Sequence, residues 1–143
     1  MYSIKPSIIL SRLFLLISSS GILLLSFWLK PDTRGFGTHE QLGLPPCPFL
    51  FFTGYPCPAC GLTTSFSHMA HGHFMAAFSS HPLGPFLFLM NVALIFISLK
   101  NLLSKKNFWD LLPDKQLNAF LILFVFSFLS SWGYRILQIW RTL

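Results

Sequence analysis

All three cysteines of the chain, Cys47, Cys57 and Cys60, lie in one short stretch, and the last two bracket a Cys-Pro-Ala-Cys-Gly run formed with Pro58 and Gly61. Thr63, His68, His71 and His73 follow closely. Thiolates and imidazoles are the usual ligands of zinc, so the three cysteines with one or more of these histidines form a candidate metal set. A Cys-x-x-Cys pair also supports thiol exchange, because a cysteine at or just before a helix N-terminus is biased towards its thiolate by the helix dipole. No strand pattern of the thioredoxin kind accompanies it. A third reading is structural: Pro58, Gly61, Gly72 and Pro82 rigidify a re-entrant turn, and a Thr, Ser and His stripe packs against polar positions such as Asn91. The cofactor expected is zinc or none. No Ser-His-Asp set, paired carboxylates or phosphate-cradling loop is visible, and all four acids fall in loops, a pattern that speaks against an enzyme.

The elements that must position these residues are membrane elements. Hydrophobic residues make up 53% of the 143 and charged residues 10%, with seventeen Phe, whereas soluble domains carry about 25% charged residues. The expected fold class is all-α integral membrane, one domain over 1–143, with three transmembrane helices at about 8–29, 83–100 and 117–135. The Cys/His segment, 45–82, lies between the first two and carries a short amphipathic helical part. The net charge of +6 comes from Lys and Arg at the ends of apolar runs, not from a basic face, so no nucleic acid is expected. Arg12 can snorkel from the first span to the interface. A cleaved signal peptide would need a shorter apolar run than the one that continues to Leu29. Residues 31–46 read as an exposed loop from their Gly, Pro and polar composition.

Between the spans, a helix starting at Cys60 would set His71, Thr64, His68, Ser67 and Thr63 within about 80° of Cys60 on one face, with Leu62, Phe66 and Met69 opposite. Gly72 interrupts the pattern, so two short helices separated at 71–73 are expected. On such a helix His68 rises about 12 Å and His71 about 16 Å from Cys60, too far to share its ion unless the chain folds back. A site of Cys47, Cys57 and Cys60 completed by a histidine from elsewhere is easier. In the second span Asn91 reads first as helix-to-helix glue, and Arg135 closes the third span beside Trp132 and Tyr134. Lys5, Arg12 and the lysines at 100, 105, 106 and 115 favour a cytoplasmic N-terminus with the Cys/His segment outside, while Arg135 and Arg141 pull mildly the other way.

The order Cys47-Pro48, Thr53-Gly54, Cys57-Pro58-Ala59-Cys60-Gly61-Leu62-Thr63, His71-Gly72 and His81-Pro82-Leu83 resembles a small bacterial membrane family catalogued as domain of unknown function 2752. The likeness is close from Cys47 to Leu83 and general in the spans. Ala59 stands where the family has Gly, Thr64 where it has Arg and His81 where it has Asn, so a role requiring that Arg does not carry over to this chain. The resemblance implies a multi-pass protein of the bacterial inner membrane with no established activity. The expected function is a non-enzymatic accessory or assembly protein of a membrane system, in contact with the lipid bilayer and other membrane proteins. The alternative is a thiol-redox or metal-binding protein using Cys57 and Cys60.

Overall fold

The computed structural model describes residues 6–103 and 114–140, and side chains within 9–100 and 118–137. Lys5, Lys105, Lys106 and Arg141, invoked above for topology, lie outside the described residues. Among the described residues six α-helices follow in order: α1 (Pro6–Trp28), α2 (Pro48–Thr53), α3 (Leu62–Ala70), α4 (Phe74–Ser80), α5 (Gly84–Leu103) and α6 (Asp114–Trp140). A 3-10 turn, Thr38–Leu42, precedes α2, and the described residues contain no strand. The chain is therefore all-helical. Ile9–Trp28 and Asn118–Leu137 are long and apolar enough to cross a bilayer, and Gly84–Lys100 joins them as a third candidate together with Phe74–Ser80, from which it bends by 113°.

The apolar residues of the long helices point outward and small or polar residues point inward. On α1, Leu10, Phe14, Ile17, Leu24 and Phe27 are exposed, whereas Arg12, Ser19 and Ser26, spaced seven apart and hence on one face, are buried. Ser98 of α5 and Ser131 of α6 are buried too. Lipid tails are as apolar as Leu, so association in a bilayer uses small side chains that let backbones approach. Arg12, expected to snorkel, is only 8% exposed and packs into the protein.

Between α1 and α5 the short helices fold into a cap. α1 packs on α5 and α3, and α3 on α4, α5 and the 3-10 turn. The cap is held by buried hydroxyls. Thr38 Oγ1 donates to Thr64 Oγ1 at 2.8 Å, Ser65 donates to the Ala77 carbonyl at 2.8 Å, and Ser67 donates to the Leu29 carbonyl just past the end of α1. That last bond satisfies one of the carbonyls that a helix C-terminus leaves without an intrahelical partner. Two expectations change here. The segment 31–46 is not simply an exposed loop, because Thr38 is fully buried at its centre. The helix begins at Leu62 rather than Cys60, and its Thr and Ser stripe meets Thr38 and main-chain carbonyls, with Asn91 not among its partners.

Candidate functional site

Cys47, Cys57 and Cys60 come together, although 13 positions separate the first from the last. Their Sγ atoms all lie within 4.8 Å of one another, and all three are free thiols. Each is placed by a local device. Cys47 precedes Pro48, whose fixed φ suits the first turn of α2, and so sits at the N-cap. Cys57 and Cys60 are joined by a tight turn in which the Cys60 amide donates to the Cys57 carbonyl at 2.9 Å. Gly61 then takes φ +85°, a left-handed conformation. A β-carbon there would fall against the Ser80 carbonyl oxygen and 2.8 Å from that of Gly35, so the absent side chain lets three backbone segments meet beside the thiols.

The electrostatics differ from thiol to thiol. At Cys47 burial acts to raise the thiol, but hydrogen bonds from the Leu50 and Phe49 amides and from Cys57 outweigh it and lower the pKa. Those amides are the free donors of a helix start. Cys57 is raised, first by burial and then by donating its proton towards Cys47. Cys60, 7% exposed, is pushed up to about 11, first by burial and then by the neighbouring thiolates, with Arg135 acting in the opposite direction. Within the cluster Cys47 therefore gives up its proton more readily than an ordinary thiol, and Cys57 and Cys60 less readily. Zn–S bonds of about 2.3 Å set tetrahedral sulphurs about 3.8 Å apart, so a contraction of about 1 Å at most would close all three on one ion. A cavity of about 180 Å³ opens beside Cys47 and Cys60, bordered by Arg34, Phe36, His39 and Glu40. Arg34 is fixed there by Asp32 and Glu40, each at 2.8 Å, and lies over the Phe36 ring.

The rest of the chain grips the main chain around the thiols. His81, buried between α4 and α5, places Nε2 3.1 Å from the Pro58 carbonyl, and because a carbonyl only accepts, Nε2 carries the proton. Trp132 of α6 donates to the Pro56 carbonyl at 2.8 Å. Arg135 donates to the carbonyls of Ser79, at 3.1 Å, and Ser80. A cation at the last carbonyls of α4 is where the helix dipole favours one.

Of the residues singled out by sequence, His68 and His71 stand with His73 at the far end of α3; among the described residues the group with convergent donor atoms contains only the three cysteines. Thr63 is exposed, and Pro82 follows His81 at the bend before α5. Asn91 lines a mainly apolar cavity of about 300 Å³ with Leu25, Leu29 and Phe66, its Oδ1 buried and without a partner among the described residues. Sequence reasoning passed over Thr38 and the contact roles of His81 and Trp132. A threonine in a polar loop carries no periodic signal, whereas His81 could have been suspected from its place before Pro82.

No curated protein and no solved structure matches the chain. The segment that runs from Cys47 through the thiol turn, the histidines and most of α5 is the part with a relative family: residues 47–95 match the model of the protein family of unknown function DUF2752, the family that the cysteine and proline order resembles.

Proposed function

We propose that this is a non-enzymatic accessory protein of a bacterial inner membrane that holds one soft, zinc-like metal ion on Cys47, Cys57 and Cys60. The observation that carries the reading is the mutual approach of the three Sγ atoms to within 4.8 Å. Three thiolates and an open fourth position suit Zn²⁺ or Cu⁺, since thiolates select soft metals. The ion would join α2 to the turn onto which His81 and Trp132 fasten α5 and α6, so it would act as a clip on the converging helices. Water or a donor entering by the cavity beside His39 would complete its coordination. The N-terminus is cytoplasmic in this reading and the clip external, with the lipid bilayer and other membrane proteins as partners.

A second reading, thiol exchange, is favoured by one observation: the accessible Cys47 thiol is lowered while the buried Cys60 thiol is raised. Metal analysis of the full chain purified in detergent, combined with thiol labelling with and without reductant, separates the two. About one equivalent of metal, lost on Cys57→Ser, supports the clip; a reducible disulfide without metal supports exchange. Full labelling without reductant and no metal would remove both. Labelling of intact cells with a membrane-impermeant thiol reagent tests the external placement.

A further inference from the structure

The turn between α3 and α4 gathers three of the five histidines. Gly72 takes φ +78°, its amide donates to the Met69 carbonyl at 3.1 Å, and the His73 amide donates to the His68 carbonyl at 2.8 Å. These two bonds are those of the Schellman helix ending, which brings the residue after the glycine back over the residue five positions earlier, usually as an apolar contact. Here both positions are histidine. The rings of His68 and His73 have centroids 5.7 Å apart, and those of His71 and His73 are 6.5 Å apart.

His71 is already set as a ligand would be. Its Nδ1 lies 2.8 Å from the Ser67 carbonyl, which can only accept, so Nδ1 carries the proton and Nε2 keeps its lone pair. Metal-bound histidines almost always hold their second nitrogen in this way. Phe27 of α1 stacks on the same ring at 5.5 Å and limits its rotation. His68 Nδ1 is buried without a hydrogen-bond partner among the described residues, so coordination would satisfy a group that now has none. Burial first, then His73 and His71, lowers the His68 pKa and favours its neutral, ligating form. The carbonyl end of α3 points its negative dipole end at the same place.

We propose that His68, His71 and His73 form a site for a divalent transition cation of borderline softness, such as Ni²⁺ or Zn²⁺, separate from the three cysteines. Two imidazoles bound tetrahedrally at M–N distances of about 2.1 Å place their ring centroids about 5.2 Å apart. The donor atoms of the three histidines do not converge as they stand: His73 would have to close on His68 by about 0.5 Å and on the held His71 ring by about 1.3 Å, a movement that its exposed side chain can make by rotation. Imidazole ligands suit Ni²⁺ as well as Zn²⁺, whereas thiolates favour Zn²⁺ and Cu⁺, so Ni²⁺ is the ion that tells the two sites apart.

Equilibrium dialysis against Ni²⁺ tests the site, using the full chain in detergent micelles and a purification tag without histidine. The Cys47→Ser, Cys57→Ser, Cys60→Ser variant is expected to retain one Ni²⁺ per chain. His73→Gln or His71→Gln in that background should weaken binding at least tenfold. Should the triple serine variant fail to fold, the same substitutions are read in the otherwise native chain, with Co²⁺ as a second probe. His73→Gln should then remove one bound ion and leave the thiolate-to-cobalt absorption intact. Retention of no histidine-dependent ion, or affinity unchanged by both His71→Gln and His73→Gln, overturns the proposal. A native chain that binds a single, histidine-dependent ion would sink the cysteine clip and leave this site standing.

Discussion

Replacing Gly61 by alanine probes the point where three backbone segments meet beside the thiols. Two separate costs apply. The first is conformational: at φ +85° an L-residue loses about 1–2 kcal/mol relative to glycine. The second is steric, because the new methyl would overlap the Ser80 carbonyl and lie 2.8 Å from that of Gly35. Neither acceptor is at the end of a flexible side chain. Ser80 is held by Arg135, and Gly35 by its own amide bonded to the Asp32 carbonyl at 3.1 Å. Overpacking of this kind costs about 1–3 kcal/mol, for a total of about 2–5 kcal/mol. Gly72→Ala is the matched control: its φ of +78° imposes the first cost, but nothing lies within 4 Å of the new methyl. Chemical denaturation of the detergent-solubilised full chain, followed by far-ultraviolet circular dichroism, reads both variants against the native protein. Gly61→Ala should lose at least about 1 kcal/mol more than Gly72→Ala. If Gly61→Ala is too unstable to accumulate while Gly72→Ala accumulates, the difference has the same sign. Equal losses in the two variants would refute the convergence of the three segments.

Three further outcomes follow from the same contacts. Trp132→Phe keeps the ring but removes the indole donor from the buried Pro56 carbonyl, and should cost about 1–3 kcal/mol in the same unfolding assay; an unchanged midpoint would detach α6 from the thiol turn. Thr64→Val is nearly isosteric but takes away the acceptor of the fully buried Thr38 hydroxyl, with an expected loss of about 1–2 kcal/mol; no loss would mean that the cap does not depend on this pair. Metal affinity of the cysteine site should rise with pH. Cys57 and Cys60 stand above the ordinary thiol value and stay protonated near neutrality, so binding releases at least two protons and affinity should rise at least about 100-fold per pH unit between pH 6 and 8. A flat profile in a competition titration with a metal-chelating dye would contradict the proton-rich state of these two sulphurs.

Much of the cysteine segment was legible because its signals are local. Proline after Cys47, the turn at Pro58 and the glycines at 61 and 72 act over a few residues, and the apolar lengths of the long helices depend only on composition. Helical periodicity sets the helix start two residues early, because it does not register that Gly61 leaves the helical region. The facing of α3 was less accessible. A wheel separates polar from apolar residues but does not say which side meets protein. In a cap packed between membrane helices, Thr64, Ser65 and Ser67 turned inward to reach hydroxyl and carbonyl partners up to 38 positions away.

By itself the sequence determined the membrane class, the all-helical build, the grouping of chemistry between positions 47 and 81 and the separation of His68 and His71 from Cys60, since these follow from composition and from the rise of a helix. Only the tertiary structure decided that Cys47 closes on Cys57 and Cys60, that Trp132 and His81 grip the turn between them, and that His73 folds back onto His68. Each of these depends on the path of the chain through loops and caps, where hydrogen bonds and close backbone approach act between residues with no periodic relation in sequence.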